Sequence, residues 1–197
     1  MFRSGMIKTL VALVTSMTVA TFLLIGMETA PARPTVPLPL QAVRAATLPP
    51  EMALVRQTDA DLQYVKWRNI VVHDAGRDGP GILAGCHFVI GSAQNGGDGA
   101  IEPTRLWRLQ QDGRHVNVPG AQYNTTSIGI AVQCDARQQG LTPQQLAALI
   151  NLAQALQVTC QIPQDHVYLH ADLGGVGCPG RLFPAAALRK GLLPACR

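Results

Sequence analysis

The strongest hydrophobic pattern in the chain lies towards its C-terminal end and is helical. Apolar side chains recur there at helical spacing, at Leu146, Leu149, Ile150, Ala153 and Leu156. This periodicity places them on one face, which is the main sequence signal for a packed helix. Thr142 followed by Pro143 is a typical helix start, since proline is well tolerated in the first turn. The pattern therefore predicts a helix over residues 142–158.

Short apolar runs bounded by turn residues predict several β-strands. We expect strands over residues 69–72, 87–90, 104–110, 127–133 and 166–169, and a closing helix over residues 184–192. Residues 51–63 are consistent with a short helix or an irregular cover, with Asp59 as a possible cap. Strands and helices in this order predict an α/β domain.

The N-terminal segment has the pattern of an export signal. Arg3 and Lys8 precede an apolar stretch over residues 10–27, and Ala30-Pro31-Ala32 fits a small-x-small cleavage site. Residues 1–32 are thus predicted to be a signal peptide or, if uncleaved, a signal anchor. A proline-rich spacer over residues 33–50 and a domain over residues 51–197 follow. Because the positive flank stays in the cytoplasm, we expect the domain to be exported: periplasmic, in the cell envelope or secreted, and anchored to the membrane if the leader is not cleaved.

Length, charge and cysteine content narrow these expectations. The 197 residues, 47% hydrophobic and 14% charged, suffice for one core, and we expect a monomer. The net charge of +4 suits an anionic polymer, but no basic run interleaved with aromatic residues predicts nucleic-acid binding.

Five cysteines give an odd count for an exported protein. A bridge between Cys160 and Cys196 is one possibility, and Cys134 is expected to be a small buried filler.

One C-terminal loop carries candidate metal chemistry. His170 and Cys178 flank a glycine-rich segment, and Zn²⁺ accepts both neutral imidazole and thiolate. His73, at the end of the apolar run Ile70-Val71-Val72, is the candidate third ligand. Three protein ligands would leave a fourth position for water. The alternative is that the histidine and cysteine of this loop are unconnected and that His73 only ends a strand.

Five segments occur in an order that resembles a known family. They are residues 67–73 (WRNIVVH), 86–91 (CHFVIG), 97–102 (GDGAIE), 124–130 (NTTSIGI) and 170–180 (HADLGGVGCPG). This order is similar to that of the zinc-dependent N-acetylmuramoyl-L-alanine amidases, in the branch of phage lysozymes and peptidoglycan-recognition proteins. The resemblance covers about residues 65–184. It implies a single domain with a central mixed β-sheet flanked by helices.

The resemblance also implies a set of site residues and an activity. It assigns zinc to His73, His170 and Cys178, and it makes His115 and Asn124 candidates for binding substrate. The implied reaction is hydrolysis of the amide between N-acetylmuramic acid and L-alanine in peptidoglycan or muropeptides. For His115 an ordinary surface histidine is the alternative, and for Asn124 an Asx turn.

Three departures from the family pattern lie beside this chemistry. Cys86 stands where the family usually has a tyrosine, and Val176 stands where active members often carry lysine or threonine. We therefore assign no catalytic residue, since losing one oxyanion donor typically costs on the order of 10²–10³ in rate. Residues 74–85 are rich in glycine, and we expect a surface loop where the family normally has a helix, which would leave the groove open on one side.

These departures keep other functions open. One alternative is a catalytically weak or inactive peptidoglycan-binding protein of the same fold, which would keep the cleft with or without the metal. Another is that Cys86 acts as a fourth ligand in a structural zinc site. A third is a secreted structural domain that uses Cys178 in a disulfide and binds no metal.

Overall fold

A five-stranded mixed β-sheet organises the chain. The computed structural model describes residues 49–76, 79–95, 97–119 and 121–194. The strands are β1 (Asn69–Asp74), β2 (Phe88–Ile90), β3 (Ile101–Pro103), β4 (Ser127–Val132) and β5 (Val167–Leu169). Their order in the sheet is β3-β2-β4-β1-β5, and only β3 runs antiparallel to its neighbour. The predicted α/β domain with a central mixed sheet is confirmed.

Six helices accompany this sheet in the described ranges. They are α1 (Pro50–Val55), α2 (Gly79–Gly85), α3 (Arg105–Arg108), α4 (Tyr123–Thr126), α5 (Pro143–Cys160) and α6 (Ala185–Gly191). Short 3-10 turns cover Ala93–Asn95, Gln164–His166 and His170–Leu173. No helix of the described part is both long enough and apolar enough to cross a membrane. The predicted leader and most of the predicted spacer lie outside the described residues, as does Cys196.

The two faces of the sheet have different surroundings. Because side chains alternate along a strand, Ile70 and Val72 of β1 face the same side as Ile128 and Ile130 of β4. They belong to the main hydrophobic core, which also contains the apolar face of α5. His73 alternates to the opposite face. The candidate site therefore lies on the side of the sheet away from the main core.

Helix α5 is the element that the sequence predicts best. It begins at Pro143, and Thr142 and Gln145 form a capping box, in which each side chain satisfies a backbone N–H of the other residue. The Gln145 side-chain amide also donates to the carbonyls of Gly91 and Gln133. The helix ends at Cys160, before Gln161 in the left-handed conformation. The cap thus ties the helix start to the sheet.

The predicted strand over residues 104–110 is wrong. The strand lies earlier, at Ile101–Pro103, and helix α3 follows. Thr104 caps this helix because its hydroxyl accepts a hydrogen bond from the Leu106 N–H. Trp107 is buried in the main core, so one large apolar anchor holds a single turn of helix. This short apolar segment therefore forms a helical turn and not a strand.

The expectation of a surface loop over residues 74–85 is also wrong. Strand β1 continues through Asp74, so that His73 lies inside the strand, and helix α2 occupies Gly79–Gly85. Ile82 of this helix packs against Cys86 and Ala131 in a second, smaller apolar cluster. Pro80 is tolerated in the first turn, but the glycines disfavour a helix locally, so tertiary burial stabilises this conformation. A helix therefore stands where the open side of the groove was expected.

The remaining predictions differ from the structure mainly at their boundaries. The cover over residues 51–63 contains helix α1, which ends at Val55, so Asp59 caps no helix there. Helix α1 packs against α5. Cys134 is half-buried against the main core and Cys160 is buried. The predicted bridge from Cys160 to Cys196 stays a prediction, because Cys196 lies outside the described residues.

Candidate metal centre

Two histidines and one cysteine meet at one edge of the sheet. The ligand atoms of His73, His170 and Cys178 all lie within 4.8 Å of one another. His73 Nδ1 is 3.9 Å from Cys178 Sγ. His73 and Cys178 are buried, and His170 is half-buried. The structure thus brings together the three residues that the resemblance assigns to zinc.

The topology of the sheet explains this meeting. Strands β1 and β5 are parallel neighbours, so their carboxyl ends lie at the same edge. His73 is near the end of β1, and His170 immediately follows β5. Cys178 arrives on the loop after the 3-10 turn. Gly175 in that loop is required by packing, because a Cβ there would lie 2.4–2.5 Å from atoms of the His170 ring.

Asp74 anchors the loop that carries Cys178. Its Oδ2 accepts hydrogen bonds from the Gly180 N–H at 2.7 Å and from the Ala136 N–H at 3.2 Å. The Asp74 backbone carbonyl lies 3.8 Å from Cys178 Sγ. Asp74 is absent from the site residues predicted by sequence. Its place directly after His73, at the end of a buried strand, is the signal that could have identified it.

Burial keeps the first histidine of the cluster neutral. Desolvation lowers the pKa of His73 well below its ordinary value, and the neighbouring His115 and His170 lower it further. A neutral imidazole has the lone pair that a metal ligand needs. Two imidazoles and one thiol suit zinc, for which tetrahedral bonding places nitrogen and sulfur ligands about 3.6 Å apart. The spacing of His73 Nδ1 and Cys178 Sγ is close to that value.

His115 lies directly behind this cluster. Its Nδ1 is 3.1 Å from His73 Nε2, and its side chain is only 4% exposed. Burial, followed by the neighbouring His87, lowers the pKa of His115 to about 3. Gly129 leaves room for the ring, because a Cβ there would lie 2.6 Å from His115 Cδ2. His115 is therefore not a surface histidine, and the prediction that it binds substrate stays a prediction.

Asn124 holds the backbone on both sides of this histidine. Its Oδ1 accepts from the N–H groups of His115 and Val116, each at 2.9 Å, and its Nδ2 donates to the Val116 carbonyl at 2.7 Å. These bonds occupy both ends of the amide. Asn124 thus performs a structural task, and a contact with substrate stays a prediction.

Cys86 and Val176, two of the three departures from the family pattern, differ in their exposure to solvent. Cys86 is fully buried beside Ile82 and Ala131, and desolvation raises the pKa of its thiol strongly. Its sulfur is not part of the cluster of potential ligand atoms, which speaks against a fourth zinc ligand. Val176 is 92% exposed on the loop before Cys178. Neither residue presents a charged or readily ionised donor to the cluster.

His87 is a further buried histidine, close to His115. Its Nδ1 accepts from the Gly129 N–H at 3.0 Å, and its Nε2 lies 3.0 Å from the Gln111 carbonyl. These partners place its proton on Nε2. Burial lowers the pKa of His87 to about 4. The His87 ring lies 5.8 Å from that of His115 and 4.8 Å from the buried Trp67.

Comparisons with known proteins identify solved structures of similar fold. Two N-acetylmuramoyl-L-alanine amidases of Clostridium intestinale URNW, LysCS and LysC, each share 25% identity with the chain. For LysCS the TM-score is 0.51, over 64% of this chain and 84% of that one. For LysC it is 0.50, over 66% and 89%. AmiD from E. coli, solved with the substrate anhydro-N-acetylmuramic acid-L-Ala-D-gamma-Glu-L-Lys, shares the fold at 23% identity and a TM-score of 0.54, over 71% of this chain and 62% of that one.

A family model decides the assignment. No curated protein sequence matches the chain significantly. The model described as N-acetylmuramoyl-L-alanine amidase, however, matches residues 48–181, which include all five segments of the resemblance and the whole histidine and cysteine cluster. The chain belongs to the N-acetylmuramoyl-L-alanine amidase family.

Proposed function

We propose that this protein uses zinc to hydrolyse the amide between N-acetylmuramic acid and L-alanine in peptidoglycan. The single observation that carries the proposal is the convergence of His73, His170 and Cys178 in a member of this family. The donor set suits the metal in type, number and spacing. When bound, zinc would supply a Lewis acid that activates water and polarises the amide carbonyl.

The protein's own residues hold and orient the proposed ligands. His73 stays neutral because of its burial, and Asp74 fixes the loop of Cys178 through the Gly180 N–H. Among the described residues, the thiol of Cys86 keeps its proton because its pKa is raised. Ala131, the register partner of His73 on β4, contributes only a methyl group. We therefore assign binding and positioning roles and no proton-transfer role.

The second candidate function is a peptidoglycan-binding protein with weak or no turnover. The buried Cys86 and the aliphatic Val176 favour it, because a thiol is only a weak donor for a developing oxyanion and an aliphatic group offers none. The complete set of three ligands favours the enzyme. We place the hydrolytic function first for that reason.

The substrate and location belong to the same proposal. AmiD, which shares the fold, was solved with an anhydromuramyl peptide, and this supports peptidoglycan or muropeptides as the partner. The positive net charge is compatible with an anionic polymer. We further propose that the domain acts after export as a monomer, that it does not bind nucleic acid, and that it touches the membrane only through an uncleaved N-terminal segment. The leader pattern supports export.

Mass spectrometry of reaction products tests the proposed hydrolysis. The zinc-loaded protein, a His73→Ala variant and a His166→Ala control are incubated with purified muropeptides. His166 is a suitable control because it lies outside the cluster and bonds to the Arg68 carbonyl. Circular dichroism establishes that each protein is folded, and zinc content establishes which of them is loaded.

The outcomes separate the two candidate functions. Release of free stem peptide by the parent and by the His166 variant, but not by the His73 variant, supports a zinc amidase. Intact muropeptides from folded, zinc-loaded parent would contradict the hydrolytic proposal. Binding of muropeptides by that same sample, measured by calorimetry, would then favour the non-catalytic function.

A further inference from the structure

The two ring nitrogens of His73 face different partners. Nδ1 faces the cluster and lies 3.9 Å from Cys178 Sγ. Nε2 faces away from it and lies 3.1 Å from His115 Nδ1. This arrangement is buried, because His73 is 0% and His115 4% exposed. Water therefore has little access to the contact between the two rings.

The number of protons on each neutral ring then determines which nitrogen donates and which accepts. A neutral imidazole carries one proton, and a nitrogen that binds a metal must present a lone pair. If Nδ1 of His73 is the ligand atom, its proton resides on Nε2 and needs an acceptor. His115 Nδ1 is the acceptor within hydrogen-bond distance.

His115 can accept only if it is itself neutral, with its proton on Nε2. Its ring is buried, and burial favours the uncharged form of an imidazole. At that Nε2 no described residue meets hydrogen-bond geometry. His87 cannot accept the His73 proton in place of His115, because both nitrogens of His87 already bond to the Gly129 N–H and the Gln111 carbonyl.

The surroundings hold His115 in this place. Asn124 bonds to the backbone N–H groups of His115 and Val116, and the Asn124 carbonyl accepts from the Gly113 N–H at 2.9 Å. The Arg114 N–H donates to the Gly85 carbonyl. Gly129 provides the space for the ring. The segment is thus fixed from both sides.

We propose that His115 is a positioning residue: it accepts the Nε2 proton of His73 and so presents His73 Nδ1 to the metal, while Asn124 holds the backbone of His115. The inference rests on the proposed metal site and deepens it. It assigns His115 a task that does not involve substrate. Partners of this kind typically change metal affinity by about ten- to hundredfold when they are removed.

Two substitutions at position 115 isolate the acceptor. His115→Leu puts an apolar side chain of similar size in the same place and removes the Nδ1 acceptor. His115→Asn places an amide Oδ1 where the histidine has Nδ1, so it can accept the same proton. His166→Leu is the matched control, since it removes a histidine outside the cluster. Thermal melts of the metal-free proteins report whether each variant folds.

Metal affinity, measured by competition with a chelator, is the first readout. We expect zinc affinity to fall about ten- to hundredfold in His115→Leu, to recover to within a few-fold in His115→Asn, and to stay at the parent level in the control. The absorption bands of bound Co²⁺ should change in the leucine variant and recover in the asparagine variant. Equal zinc affinity in parent and leucine variant, or no rescue by asparagine, would overturn the inference.

A second readout needs no variant. Long-range ¹H–¹⁵N correlation spectra of the zinc-loaded parent report which nitrogen of His73 carries the proton. We expect a proton on Nε2 and metal on Nδ1, and the reverse assignment would overturn the inference. Failure of the parent to bind zinc would remove both this inference and the proposed zinc chemistry. A parent that binds zinc with the expected variant pattern, yet releases no stem peptide, would remove only the hydrolytic function.

Discussion

Acid sensitivity of the metal-free protein follows from the buried histidines. Burial lowers the pKa of His87 to about 4, whereas an unfolded histidine titrates near about 6.5. Between these values the unfolded chain binds more protons than the folded one, so the free energy of unfolding falls as the pH falls. Lowering the pH from about 7 to about 5 should remove about 2 kcal/mol through His87 alone.

His115 acts in the same direction. Its pKa of about 3 means that the folded state resists protonation over a still wider range. By about pH 4 each of these two histidines should have removed about 3 kcal/mol. The sum is comparable to the total stability of a typical domain, which is about 5–15 kcal/mol. We therefore expect the metal-free protein to unfold in mild acid.

A His87→Gln variant isolates one of these contributions. Its amide can still donate to the Gln111 carbonyl, but it cannot titrate. We expect it to be less stable at neutral pH, because the Gly129 N–H loses its acceptor. Its loss of stability between about pH 7 and about pH 5 should be about 2 kcal/mol smaller than that of the parent.

Urea unfolding followed by tryptophan fluorescence measures these free energies. Trp67 and Trp107 are both buried near His87, so their emission reports unfolding of this region. Samples contain a chelator and a reducing agent, and His166→Gln serves as the control. The reasoning is refuted if parent stability does not decrease towards pH 5, or if the His87 variant keeps the full pH dependence of the parent.

Three further predictions concern the metal and its surroundings. Chelation, or His73→Ala, should abolish release of stem peptide and remove the increase in melting temperature that zinc gives, which product analysis and calorimetry check. Asp74→Ala should destabilise the fold by about 1–3 kcal/mol and weaken zinc binding, because the Gly180 N–H loses its buried acceptor; urea unfolding that matches the parent would contradict this. Val176→Lys should leave stability within about 0.5 kcal/mol, since the side chain is exposed, and should raise turnover when combined with Cys86→Tyr. Because Cys86 is tightly enclosed, the tyrosine should cost about 1–3 kcal/mol, and unchanged turnover in a folded, zinc-loaded double variant would refute the role given to these positions.

Local sequence patterns predicted those elements whose signals lie within one short segment of the chain. Helix α5 combines a capping box, a proline in its first turn and regular apolar spacing, so its position follows from the sequence. The meeting of His73, His170 and Cys178 was predictable from the order of the family segments. It agrees with the parallel pairing of β1 and β5, which the sequence alone does not specify.

Long-range packing determined what the sequence did not predict. Helix α2 contains glycine and proline and forms where Ile82 meets Ala131 of the sheet. The turn of α3 depends on burial of Trp107 in the core. The contact of His115 with His73 joins segments that are far apart in sequence, and no local pattern encodes it. Each of these features needs a partner that only the folded chain supplies.

Two small residues of β4, Gly129 and Ala131, shape the surroundings of the proposed metal site. Gly129 leaves room for the His115 ring and donates its N–H to His87 Nδ1, and Ala131 lies in register beside His73. This face of the sheet therefore has space for a layer of neutral imidazoles behind the proposed ligands. Such a layer can orient a metal ligand without adding charge. Among the described residues, this layer of imidazoles contains no carboxylate that could transfer a proton. The nearby Cys86 keeps its thiol protonated because its pKa is raised. We therefore expect proton transfer to limit the proposed hydrolysis.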